Sequence, residues 1–246
     1  MNEAVRRWGG RFGKRERKQV SHDELSRRPG QRQHRCRALL FDMDGTLVQS
    51  GGNVEDIWRA WCERVGVSAQ AVLSICHGMR SHEVLQRVAP QLDPEPELLW
   101  LETMELRHME GVAEVAGAGA LLHGLAGLPW ALVTSASTAV ARRRMALCGL
   151  PMPEVLVSSD HVRHGKPDPE PYLRAAQLLG VPAADCLAFE DAEAGIASAL
   201  VAGCAVIRLG AADPAPDARL LAQLPDWRHT GAARAEGGAA PLLFRY

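Results

Sequence analysis

Aromatic residues are scarce in this chain. Phe, Trp and Tyr fill only 5% of positions, which argues against the stacking platforms that hold single-stranded nucleic acid. Cys-x-x-Cys pairs are absent, and Cys36, Cys62, Cys76, Cys148, Cys186 and Cys204 lie far apart with no histidine pair at zinc spacing. The cysteines therefore read as small core or surface residues, not as disulfides or metal ligands. The first residues contain no apolar run long enough for a secretion signal or membrane span. No repeat of 20–50 residues is apparent. The expectation from these absences is a cytoplasmic protein with no membrane contact.

What remains is ample material for a core. Of 246 residues, 47% are hydrophobic, enough for one α/β domain with a sizeable insertion or for two small domains. The net charge of −1 hides an asymmetry: residues 1–37 hold 12 of the 28 Lys/Arg but only four of the 29 acids. Residues 1–36 are accordingly expected to be a basic, disordered extension, because high charge with low hydrophobicity cannot offset ordering entropy. The competing reading is a tether for nucleic acid or another anionic surface. The rest of the chain is acidic, so no nucleic-acid partner is expected of it.

From residue 37 the pattern changes. Short apolar runs end in polar residues: 37–41 into Asp42-Met43-Asp44-Gly45-Thr46, 130–133 into Thr134-Ser135, 155–157 into Ser158-Ser159-Asp160, and 186–189 into Glu190-Asp191. Amphipathic segments of helix length separate them at about 138–148, 169–179 and 192–202. Gly149, Gly180 and Gly203 punctuate the boundaries. Strands alternating with helices predict a doubly wound parallel sheet formed by residues 37–50 and 117–246. Residues 51–116 break the alternation with helical patterns alone, which predicts an inserted all-helical domain. Its Trp58, Trp61 and Trp100 are expected to form that domain's core. Beyond residue 213 the pattern weakens, and 231–238 reads as loop or frayed tail. The run Arg142-Arg143-Arg144 reads as a solvated helix face.

In an open parallel sheet, reacting groups collect beyond the carboxyl ends of the strands. Counting strands puts Asp42, Asp44, Thr134, Ser135, Glu190 and Asp191 there, and the loop around Lys166 can join them. Carboxylates crowded in this way repel one another unless a cation neutralises them. Oxygen donors without Cys or His favour Mg²⁺.

Four motifs carry a family resemblance. Phe41-Asp42-Met43-Asp44-Gly45-Thr46-Leu47-Val48 resembles the first motif of the haloacid dehalogenase-like hydrolases. Val133-Thr134-Ser135-Ala136-Ser137 resembles the second, Gly165-Lys166-Pro167-Asp168-Pro169 the third and Phe189-Glu190-Asp191-Ala192 the fourth. The resemblance spans about residues 37–210 and implies a Rossmann-like core with a helical cap. It also implies roles. Asp42 would be the nucleophile, and Asp44 the proton-transfer group whose backbone carbonyl also binds metal. Lys166 would hold the phosphoryl oxygens together with Thr134 or Ser135 and the Ala136 backbone, the choice between the two hydroxyls staying open. Asp191 would ligate Mg²⁺ beside Asp42, with Glu190 a ligand or a supporting partner. The presence of Asp44 points to a phosphatase or phosphomutase rather than a dehalogenase.

The loop Cys76-His77-Gly78-Met79-Arg80-Ser81-His82 resembles the cap loop of glycerol-phosphate, deoxyglucose-phosphate and hexitol-phosphate phosphatases. It makes His77, Gly78 and Arg80 candidates for substrate contact. The expected activity is hydrolysis of a small sugar or polyol phosphate by a monomer. Two rivals stand beside it: a phosphomutase of the β-phosphoglucomutase type, and a non-catalytic module that binds nucleic acid or protein through its basic arm.

Overall fold

The computed structural model describes residues 32–210, 217–235 and 242–246. Strand β1 (Gln33–Cys36) precedes β2 (Ala38–Phe41) and β3 (Val48–Gln49). Four helices follow: α1 (Gly51–Val65), α2 (Ala69–Leu73), α3 (Ser81–Val88) and α4 (Pro94–Arg107). Strand β4 (Ala113–Glu114) brings the chain back to α5 (Ala118–Gly124), β5 (Trp130–Val133), α6 (Thr138–Leu147), β6 (Val155–Val157), α7 (Glu170–Leu178), β7 (Cys186–Glu190) and α8 (Glu193–Ala202). Strands β8 (Ala205–Leu209), β9 (Leu220–Leu224), β10 (Gly231–Arg234) and β11 (Leu242–Arg245) complete it.

Six strands form one parallel sheet in the order β6-β5-β2-β7-β8-β9. Both faces of that sheet are covered, so its central strands are apolar up to the acid that ends β7. All four residues of β2 and all five of β7 are buried. The two-residue period divides them cleanly. Leu39, Phe41, Leu132, Leu187 and Phe189 feed one core, and Ala38, Leu40, Ala131, Val133 and Ala188 feed the other. From β2 the chain winds outward to β5 and β6, then returns beside β2 as β7 and winds the other way. The switch point therefore lies between β2 and β7, where such sheets bind ligands.

The helical insertion has its own core, built on Ile57, Trp58, Trp61, Val84, Leu85 and Leu101. Trp61 is fully buried, and its indole N–H donates to Glu97 at 2.7 Å. Arg64 pairs with the same carboxylate and lies 4.8 Å over the Trp100 ring. The chain leaves and re-enters the core through β3 and β4, which pair antiparallel and form a narrow two-strand neck.

The ends of the chain depart from the expectation. Gln33–Cys36, assigned to the extension, pairs as a strand with Leu242–Arg245, which also pairs with Gly231–Arg234. Residues 1–31, the greater part of the expected extension, lie outside the described residues. The supposed loop and tail beyond 213 contain three strands. Their short runs, such as Gly231–Arg234, lack the clear alternation that periodicity can detect. Trp227 explains why this region matters. Its ring packs edge-on against Phe41 and Phe189, with centroids 5.6 and 5.1 Å away, and its N–H donates to the Thr46 carbonyl at 2.8 Å. A residue far along the sequence thus supports the loop that follows β2.

Candidate active site

The loop after β2 turns sharply at Gly45, whose φ of +84° suits glycine. A Cβ there would also collide with the Asp191 carboxylate. The first and fourth motifs can approach only because this position has no side chain. Gly195 serves the other acid in the same way, since a Cβ on it would overlap the Glu190 carboxylate. Asp42 continues from β2, and its backbone N–H donates to Phe189 on β7 at 3.0 Å. Adjacent parallel strands thus set Asp42 beside Glu190 and Asp191.

Carboxylate oxygens of Asp42, Glu190 and Asp191 all lie within 4.8 Å of one another. Lys166 enters from the loop before α7, which is pinned by Glu170 accepting the backbone N–H groups of Arg163 and His164. The Lys166 ammonium lies 2.6 Å from both Asp42 and Glu190, and it donates to the Val133 carbonyl at 3.0 Å. Tyr172 donates its hydroxyl to the same Glu190 oxygen, leaving Glu190 Oε2 buried without a partner.

This is an electrostatically costly arrangement. Burial drives the Asp42 carboxyl upward; Glu190 adds to the shift and Lys166 opposes it. Burial raises Glu190 as well, against the pull of Lys166. Asp191 is pushed up to about 7 by burial and then by Asp42. Burial works against the charge on Lys166, yet Asp42 and Glu190 outweigh it and hold the ammonium above its ordinary value. Three acids meet one ammonium, so one cation is too few. The surplus charge, the all-oxygen donor set and the orphaned Glu190 oxygen fit a hard divalent ion.

The other expected residues fall into two groups. Ser135 and Ala136 line the cavity in front of Asp42, while Thr134 lies behind them and accepts the Ala136 N–H at 3.1 Å. The Asp44 side chain stands apart from the acid trio: its Oδ1 accepts from Ser50 at 2.6 Å and from Arg144 at 2.8 Å. On the cap, His77 and Gly78 line the cavity, and His77 lies 3.2 Å from Glu55. Arg80 does not line it. Its guanidinium pairs with Glu83 and donates to the carbonyls of Val162 and Arg163 at 2.9 and 2.8 Å. Together with Ser135, which donates to the Gly78 carbonyl at 2.8 Å, it ties the cap to the core.

The solvated-face reading of 142–144 needs correction. Arg142 and Arg143 are exposed, but Arg144 is only 1% exposed. The signal was present in the spacing: Val140, Ala141, Arg144 and Met145 form the buried stripe of α6. A charge on that stripe must reach a partner. Arg144 has two, Asp44 and, at 3.1 Å, Glu105 of the cap. Burial pushes Glu105 up to about 7, with Arg144 opposing and Asp44 adding. Sequence reasoning missed Arg144, Glu105, Ser50 and Tyr172.

The sequence pattern of the haloacid dehalogenase-like hydrolases matches residues 36–203. This chain belongs to that family. It is also 44% identical over 191 residues to hexitol phosphatase A of Escherichia coli, an alignment covering 76% of this chain and 88% of the relative. Glycerol-1-phosphate phosphohydrolase 2 of Saccharomyces cerevisiae is 33% identical, covering 69% of this chain and 73% of the yeast protein. Among solved structures, the phosphate complex of CbbY from Rhodobacter sphaeroides superposes with a TM-score of 0.66 at 22% identity, covering 78% and 95% of the two chains. The protein is thus an enzyme, a haloacid dehalogenase-like phosphatase with the doubly wound core its sequence predicts. A non-catalytic module is set aside. Among the described residues, no helix is long and apolar enough to cross a membrane, and all six cysteines are free, as expected.

Proposed function

We propose that the protein is a Mg²⁺-dependent phosphomonoesterase for a small sugar or polyol phosphate, acting through an aspartyl-phosphate on Asp42. The observation that carries this reading is the trio Asp42, Glu190 and Asp191, the first two buried and the third half-buried, with too little positive charge around it. Asp42, Asp191 and the backbone carbonyl of Asp44 would hold the ion, with Glu190 behind them as ligand or support. Bound there, Mg²⁺ would offset the charge between the carboxylates and an incoming phosphate dianion.

Each residue's part follows from its surroundings. Lys166 keeps one Asp42 oxygen hydrogen-bonded, which leaves the other to attack phosphorus in line with the departing oxygen. Ser135, Thr134 and the Ala136 N–H would serve the phosphoryl oxygens once substrate displaces their present contacts, Ser135 with the Gly78 carbonyl and the Ala136 N–H with Thr134. As the P–O bond to the sugar breaks, Asp44 gives its proton to the leaving oxygen. A water then attacks the phosphorus of the aspartyl-phosphate and passes a proton to Asp44. The bond to Asp42 breaks, phosphate leaves and both carboxyl groups return to their starting states.

The cap supplies enclosure and choice. The cavity holds about 80 Å³ with the cap closed, room for a few waters, so substrate enters when the cap swings out. His77 and Gly78 are the cap candidates for contacting the substrate's hydroxyls, with Arg80 as the clamp that brings them into place. The relatives' names, hexitol phosphatase and glycerol-1-phosphate phosphohydrolase, favour a hydroxylated substrate and free phosphate as product over isomerisation. The test is phosphate release from a panel of hexitol, glycerol and sugar phosphates with Mg²⁺. Release should vanish with EDTA and in Asp42→Asn; turnover that survives both would refute the reading.

A further inference from the structure

Arg144 presents a problem that the chemistry above does not resolve. Burying a guanidinium is costly unless good partners compensate, and a solvated position was available one residue earlier on the same helix. The partners that hold it come from two different parts of the molecule. Nη1 donates to Asp44, on the loop after β2, and Nη2 donates to Glu105, on cap helix α4. The planar fork of arginine suits this task, because two nitrogens at fixed separation can address two carboxylates at once.

The Asp44 end is specific in its geometry. Arg144 and Ser50 both donate to Oδ1, whereas Oδ2 has no hydrogen-bond partner among the described residues. Two donors on one oxygen fix the plane of the carboxyl group and leave the other oxygen for proton exchange. Ser50 itself sits where the chain enters α1, just past the neck between core and cap. Both donors therefore stand at the seam between the two parts, and Glu105 reaches Arg144 only from the cap side.

We infer that Arg144 is a positioning residue that orients Asp44 for proton transfer, and that Glu105 completes this orientation when the cap closes. The inference rests on Asp44 being the proton-transfer group. It goes further by making proton transfer depend on a contact that the open cap lacks, so that the chemistry proceeds only with substrate enclosed. A simple cap-docking ion pair would behave differently, since its loss would weaken binding of every substrate alike.

The leaving group separates these cases. A sugar or polyol alkoxide needs a proton as it departs; acetate, leaving from acetyl phosphate, does not. Arg144→Met should lower kcat/KM for a polyol phosphate by about 100-fold, the lower range of general acid catalysis, and that for acetyl phosphate by no more than about threefold. Asp44→Asn should show the same selectivity, and adding Arg144→Met to it should cost little more, because the two act as one unit. Glu105→Gln should give a smaller loss, roughly tenfold, with the same preference. Arg144→Lys cannot span both carboxylates and should fall between Arg144→Met and wild type.

Equal losses on both substrates, or no loss on either, would overturn the inference. If Arg144→Met fails to fold, Arg144→Lys and Glu105→Gln carry the same comparison. Failure of the underlying reading would look different: wild-type protein would release no phosphate from either substrate in an Asp42-dependent way.

Discussion

On the core side of the cavity, Asp42, Glu190 and Lys166 are buried and Asp191 is half-buried, each at the end of a buried strand or held in a pinned loop. On the cap side, His77, Glu105 and Arg80 sit on helices and a glycine-broken loop and are held by single ion pairs and carbonyl contacts. The core side concentrates like charge where a phosphoryl group is to be transferred. The cap side spreads its polar groups along the seam that the proposed cap opening would part. In the proposed mechanism the chemistry is built on strand ends, and selection on a cap that opens and closes.

The sharpest way to break this contrast is at Asp42, the proposed nucleophile. Asp42→Asn should lower kcat by about 10³-fold or more, while raising the melting temperature of the metal-free protein, since it removes one of three crowded negative charges. A stability loss instead would mean that the trio is not repulsive. Lys166→Ala should destabilise the fold by about 3–5 kcal/mol, because Asp42 and Glu190 lose their buried partner; denaturant unfolding reads this directly. Trp227→Ala should cost a similar 3–5 kcal/mol and should lower activity too, as the Thr46 carbonyl and the aromatic stack lose their support.

A pH series tests the same crowding without mutation. Asp42, Glu190, Asp191 and Glu105 all have raised folded-state values. The folded protein then binds more protons than the unfolded chain between about pH 4 and 8, so stability of the metal-free form should fall as pH rises through that window. Mg²⁺ should stabilise most at the alkaline end. The smallest effects belong to the cap. Arg80→Ala should raise KM by roughly tenfold with a modest change in kcat, and His77→Ala should change the ranking of substrates by about 10- to 100-fold.

Much of the core side was legible in sequence because its chemistry sits in contiguous words at strand ends. Asp42, Asp44, Lys166 and Asp191 each follow or flank an apolar run, and Gly45 marks the turn that lets Asp191 approach. The helical insertion was equally legible: the helical patterns expected within 51–116 appear as α1 to α4, although β4 closes the segment as part of the neck. What escaped notice depends on distance in the chain. Tyr172 is one aromatic in a helix until folding sets it against Glu190. Trp227 lies in a region of weak periodicity, yet it packs on Phe41 and Phe189. Arg144 was hidden by its neighbours, because a run of three arginines suggests solvent although the third falls on the buried stripe.

The most direct test of the account is to capture the phosphoenzyme. Protein mixed with substrate and Mg²⁺, quenched in acid within one turnover and digested, should yield the peptide containing Asp42 heavier by one phosphoryl group. That adduct should be absent without Mg²⁺ and in Asp42→Asn. Rapid phosphate release with no such adduct, or with the group found on another residue, would contradict the claim that the crowded acids at β2 and β7 exist to let Asp42 be phosphorylated.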